Sequence, residues 1–79
     1  MNKFQRLFHH PDCPNWANYI SVDSRMIGIW WKCEPRVDPS SGLFRSVDEV
    51  FKPIHSVQFT QDDIGILVKK EAFDEYKMS

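Results

Sequence analysis

Apolar and polar positions alternate most clearly from Met26 to Pro35. In an extended chain Ile27, Ile29, Trp31 and Cys33 share one face, and Met26, Gly28, Trp30, Lys32 and Glu34 share the other. The first set is apolar throughout and reads as a core face. The second runs from apolar to charged and reads as half exposed. Two β-branched residues, a glycine and a closing proline argue for a strand over a helix. Pro35 cannot donate to a ladder and should end the strand or sit on an edge. Gly28 removes a side chain beside Trp30, which marks a bulge or a close approach by another group.

The same periodicities place the other elements around this strand. Asn2 can cap a short helical turn with Phe4, Leu7 and Phe8 on one side, broken by His9 to Pro14. Pro14–Asn18 suits a single helical turn, with Trp16 anchoring it to the sheet. Tyr19–Asp23 alternates as a first strand, and Asp23-Ser24-Arg25 turns it into an antiparallel hairpin with the central strand. Asp38 to Gly42 is the strongest loop signal, and Leu43-Phe44-Arg45 resumes as a third strand. Ser46 and Glu49 fit a capping box with Val47, Val50 and Phe51 on one face, so a helical turn is preferred to a strand over Ser46–Phe51. Ile54–Phe59 and Ile64–Val68 read as a hairpin with Thr60–Asp63 at its tip, although Ile64, Leu67 and Val68 also fit a helical stripe. Glu71–Ser79 suits a loose helical turn through Phe73 and Tyr76. The elements add up to one small α+β domain over residues 1–79, a mainly antiparallel sheet of about four strands with short helical turns at its margins.

Composition narrows the function classes. Ten basic and eleven acidic residues leave a net charge of −1. A general nucleic-acid binder would carry a basic stripe, and a DNA mimic would be strongly acidic. Near-neutral charge instead favours association through an apolar patch, with another protein or with a second copy as a homo-oligomer. No apolar run approaches the length of a membrane span, and Met1–Phe8 lacks the long apolar core of a secretory signal. These features suggest a soluble, cytoplasmic protein, in which the two cysteines stay free thiols.

Two segments carry a resemblance. Pro14-Asn15-Trp16-Ala17-Asn18-Tyr19-Ile20-Ser21-Val22-Asp23, followed by Gly28-Ile29-Trp30-Trp31-Lys32-Cys33-Glu34-Pro35, resembles small uncharacterised proteins of tailed phages and prophages. Those proteins carry a proline-x-tryptophan-alanine segment, a strand ending in aspartate, a glycine-aromatic strand and a closing proline. Here Ser24-Arg25-Met26-Ile27 sits where a tight aspartate-glycine turn is common, and the half after Pro35 matches less well. The resemblance implies a phage context, the host cytoplasm as location, and a host protein of defence or metabolism as the natural target.

The candidate chemistry is sparse. His9, His10, Cys13, Cys33 and His55 are the residues with zinc-ligand chemistry, but no C-x-x-C pair exists and Cys33 falls on the apolar face. No motif sets Cys13 or Cys33 beside a histidine for nucleophilic catalysis. The pairs Asp48-Glu49 and Asp62-Asp63 are explained by caps and turns. The sequence therefore points to a non-enzymatic protein without cofactor or metal, with a small zinc-stabilised module, associated with nucleic acid, as the alternative. Trp30, Tyr19, Phe44 and Trp16 are the candidate partner-binding residues, with Trp30 at the centre of an exposed apolar patch. In the competing arrangement a helical turn, from Trp16 or from the C-terminal tail, covers this face and makes it a second core.

Overall fold

The computed structural model describes residues 2–70. A short helix α1 (Lys3–Leu7) precedes β1 (Tyr19–Val22) and β2 (Gly28–Trp31). Then come β3 (Arg36–Val37), β4 (Phe44–Arg45), β5 (Phe51–Pro53), a 3-10 turn (Gln61–Asp63) and β6 (Leu67–Lys69). Four strands form an antiparallel sheet in the order β5-β2-β1-β6, and β3 and β4 form a separate two-stranded ribbon. The β1–β2 hairpin is the centre of the sheet, as its alternation implies. The chain after β5 crosses to the far edge, so β6 pairs with β1.

Register decides what each face carries. Ile20 lies opposite Trp30, and Tyr19 opposite Trp31. Directly opposed side chains share a face, so Ile20, Val22 and Trp30 stand together. This face is covered by Phe4, Leu7 and Phe8 of the α1 segment, with Ala17, Ile54 and Phe59 completing the cluster. Trp30 is only 1% exposed, and its indole Nε1 donates to the Leu7 carbonyl at 3.3 Å. The expectation of an exposed Trp30 is thus corrected, and the face opposite Ile29 and Trp31 is the larger core. Ile29 and Trp31 are buried on the other face beneath Phe44 of the ribbon, flanked by Tyr19 and Ile27. Trp31 Nε1 donates to the buried Ser21 hydroxyl at 2.8 Å. Lys32, just beyond the strand, is exposed.

The incoming group beside Gly28 is Phe59 of the same chain. A Cβ at Gly28 would collide with the Phe59 ring. That ring stacks on Phe4 at 6.0 Å between centroids, so the missing side chain lets the segment before the 3-10 turn close the core against α1.

Asn2 caps α1 as its sequence suggests, its Oδ1 accepting from Gln5 N–H at 2.9 Å. After Leu7 the helix tightens: Phe8, His9 and His10 donate to the carbonyls three residues back, and the chain then turns at Pro11. A second tie reaches α1 from the far end of the chain. Asp63 Oδ2 accepts from Thr60 N–H at 2.9 Å, from Thr60 Oγ1 at 3.2 Å and from Lys3 Nζ at 2.9 Å. Lys3 also lies over the Phe4 and Phe59 rings. One carboxylate therefore links the 3-10 turn to the first residue of the helix.

Several expected elements differ. Pro14–Asn18 makes one turn, closed by Ala17 N–H to Pro14 C=O at 3.1 Å, without becoming a helix. Over Ser46–Phe51 the Ser46 hydroxyl does accept from Glu49 N–H, but Glu49 has φ 52°, which ends any helical turn there. Phe51 instead opens β5, and Pro53 lies within that strand. No hairpin forms between Ile54–Phe59 and Ile64–Val68. The first segment carries no strand, the polar tip is the 3-10 turn, and Leu67–Lys69 pairs with β1. Cys33 lies outside both core clusters because β2 ends at Trp31. The Glu71–Ser79 turn lies outside the described residues.

Two outcomes test this packing. Gly28→Ala is expected to destabilise the fold by about 1–3 kcal/mol through overpacking against Phe59, measured by urea denaturation; an unchanged midpoint would refute the close approach. Hydrogen bonds from Thr60 N–H, then from Lys3, hold the Asp63 carboxyl below its ordinary value. A group depressed in the folded state stabilises above its unfolded value and loses that contribution as pH falls. Stability should therefore fall as pH drops below the ordinary carboxylate range, and Asp63→Asn should melt lower at neutral pH with a shallower acid dependence.

Candidate functional site

The four aromatic residues singled out from the sequence do not converge on one surface. Trp30 is buried under α1, and Trp16 packs half-buried against the same cluster. Tyr19 and the buried Phe44 belong to the opposite face. Lys52 Nζ lies 5.9 Å from the Trp30 ring centroid and donates to the Asp12 carbonyl at 2.9 Å, which closes the remaining approach to that indole.

The open surface lies beside β5 instead. Of the ribbon, Phe44 packs on Ile29 and Trp31. Phe51 packs against Trp31 with the rings tilted by 40° and their centroids 5.1 Å apart, yet it remains 48% exposed. A groove of about 810 Å³ runs from Arg25, Met26 and Ile27 in the β1–β2 turn, past Phe51, to His55 and Val57. A second hollow of about 340 Å³ shares Arg25, Ile29 and Phe51 with it and is bordered by Arg45, Ser46 and Glu49.

The turn at one end of the groove is held from beneath. Asp23 is 1% exposed. Its Oδ1 accepts from the N–H groups of Arg25 at 2.9 Å and Ile27 at 3.2 Å. Its Oδ2 accepts from Arg25 Nε at 3.1 Å and Nη2 at 2.7 Å. Met26 N–H closes the turn onto the Asp23 carbonyl at 2.9 Å, and Met26 itself takes φ 64°. This is the left-handed bulge position that hairpins of this length ordinarily give to glycine. A methionine there costs backbone energy and projects a half-exposed, adaptable side chain into the groove. Strain at a residue lining a surface is a pointer to function.

Both edges of the sheet are protected, which directs recognition to the face. Lys32 N–H donates to Val50 and Ile54 N–H to Gly28, so the backbone groups of Phe51 and Pro53 point away from β2. Proline supplies no donor on that outward side. On β6 the outward carbonyl of Lys69 accepts from Gln5 Nε2 at 3.1 Å. Strand addition is therefore poorly served at either edge.

Cys33 Sγ donates to Asp48 Oδ2 at 3.2 Å, and this bond raises its pKa. Burial raises that of Cys13. Both thiols are free and held protonated, the less nucleophilic and less metal-binding form. Among the described residues no three His, Cys, Asp or Glu side chains gather as a metal site. No described helix is long and apolar enough to cross a membrane.

Sequence reasoning missed Phe51 and Met26. Phe51 was drawn into a helical pattern by Ser46 and Glu49. The signal for Met26 was present in Asp23-Ser24-Arg25-Met26, a turn lacking the glycine its geometry favours. No protein-family model, no curated protein and no solved structure matches the chain.

Met26→Gly is expected to stabilise the fold by about 0.5–1 kcal/mol, because relief of the left-handed backbone exceeds the added freedom of the unfolded chain. Thermal and urea melts check this; a loss of stability would show that Met26 packs as a core residue.

Proposed function

We propose that this chain is a non-enzymatic binding protein that docks on another protein through the groove beside β5. The observation that carries the reading is the half-exposed Phe51, packed against the buried Trp31 and shared by the linings of two hollows. An aromatic anchor fixed by a core partner loses little conformational freedom on binding, which is the property of an interface hot spot. Met26 and Ile27 extend the apolar surface, and Arg25 and His55 supply polar contacts at its rim. The likeness of Pro14–Asp23 and Gly28–Pro35 to small phage and prophage proteins supports a phage accessory role. The partner is then a host protein of defence or core machinery, met in the host cytoplasm. Its complementary surface is an apolar side chain or short apolar ridge able to enter the groove.

Tagged protein should capture a defined host protein whose binding, remeasured with both components purified, weakens by about 2 kcal/mol or more with Phe51→Ser. Met26→Asp should weaken it as well, whereas Lys69→Ser on the far edge should not. Melting curves separate loss of binding from loss of fold. Equal binding by wild type and both groove variants would overturn the assignment.

A further inference from the structure

Two cross-strand rows run over the ribbon face of the sheet. In one, Lys69 pairs with Tyr19, Tyr19 with Trp31 and Trp31 with Phe51. In the other, Leu67 pairs with Ser21 and Ser21 with Ile29. Directly opposed residues share a face, so Leu67, Tyr19 and Lys69 point the same way as the buried Ile29 and Trp31. Their cover is incomplete. Leu67 is 39% exposed, Tyr19 is half-buried and Lys69 is exposed. On the ribbon, Val37 pairs with Phe44 and shares its face, yet Val37 is half exposed where Phe44 is buried. Val68, between Leu67 and Lys69, points to the helix side and packs on that cluster. The open strip on β6 is therefore confined to the ribbon face, where core-directed apolar residues leave room for a further layer.

We propose that the chain's own residues 71–79 cover this strip, setting Phe73 and Tyr76 against Leu67 and Tyr19. The point of departure supports it. β6 ends at Lys69, and Lys70 N–H donates to the Asn18 carbonyl at 2.8 Å. The chain therefore leaves the sheet at the end of the Lys69–Tyr19 row. Its length suffices. A segment of this size reaches about 30 Å when extended. Leu67 lies about 10 Å back along the strand and Trp31 about 10 Å across the sheet. Composition fits as well. Phe73 and Tyr76 bring aromatic area to an apolar strip. Glu71, Asp74 and Glu75 bring negative charge to a face whose exposed edge carries Lys69. The strip lies at the opposite edge of the sheet from Phe51, so this contact does not rest on the groove beside β5.

Nuclear magnetic resonance of the full chain tests this. In wild type the Phe73 or Tyr76 ring protons should show Overhauser contacts to the Leu67 methyls, unchanged on dilution. The double variant Phe73→Ser/Tyr76→Ser should move the amide signals of Leu67, Tyr19 and Val37 and leave those of Phe4 and Leu7 in place. From the other side, Leu67→Asp should shift the Phe73 and Tyr76 ring signals towards random-coil positions. Contacts that fade on dilution would put a second copy's segment on the strip, and contacts to Trp16 or Ile54 would put the segment on the helix side. Either overturns the proposal, as does the absence of any ring contact to Leu67 or Tyr19 in wild type.

Discussion

The pairing of Ile20 with Trp30 fixes which side of the sheet the helix can cover. With that register, Trp30 joins Ile20 and Val22, and the α1 segment has an apolar surface wide enough to bury Phe4, Leu7 and Phe8. Trp31 then faces the ribbon with Ile29 and Phe44. The other ties serve this division. Gly28 admits Phe59 to the helix side, and Asp63 fastens the 3-10 turn to Lys3. On the ribbon side, Ser24 N–H donates to the Gly42 carbonyl at 3.0 Å and Ser24 Oγ to the Ser41 carbonyl at 2.8 Å, holding the β3–β4 loop beside the hairpin turn.

The hairpin, the capped N-terminal turn and the break before Pro14 were legible because each is written in a local pattern. Alternation, capping chemistry and proline act over a few residues, and they agree with the final fold. The faces were harder. Alternation places Trp30 and Trp31 on opposite sides but does not say which side of β1 each one meets. That depends on the turn, where Met26 adopts the bulge conformation without the usual glycine. A one-residue difference in register exchanges the faces, which is why an exposed Trp30 was inferred from its charged neighbours Lys32 and Glu34. Those neighbours lie beyond the end of β2. The destination of β6 was equally hidden, since its pairing with β1 is a long-range choice that no local hairpin signal encodes.

The candidate surface follows from unequal coverage. On the helix side the α1 segment, Ala17, Ile54 and Phe59 close over the sheet. On the other side a ribbon of two short strands places Phe44 over Ile29 and Trp31, and its Arg36 and Arg45 stand opposite each other. Like charges in that position oppose pairing, so the ribbon owes its place to Phe44 and the Ser24 ties more than to its own strands. The rim left open holds Phe51 and Met26. Edge protection by Pro53 and Gln5 keeps the backbone out of recognition and leaves side chains to set specificity.

Consecutive tryptophans looking to opposite sides have a consequence for how this protein can change over evolutionary time. Residues 30 and 31 tie two otherwise separate clusters through a single peptide unit. Met26 on the rim belongs to neither cluster, so a substitution there leaves both intact. A gain or loss of one residue between Val22 and Gly28 would instead exchange the two indoles, sending each into a cavity shaped for the other. The 23–27 turn is therefore closed to changes of length, even at Met26, where a change of residue is tolerated.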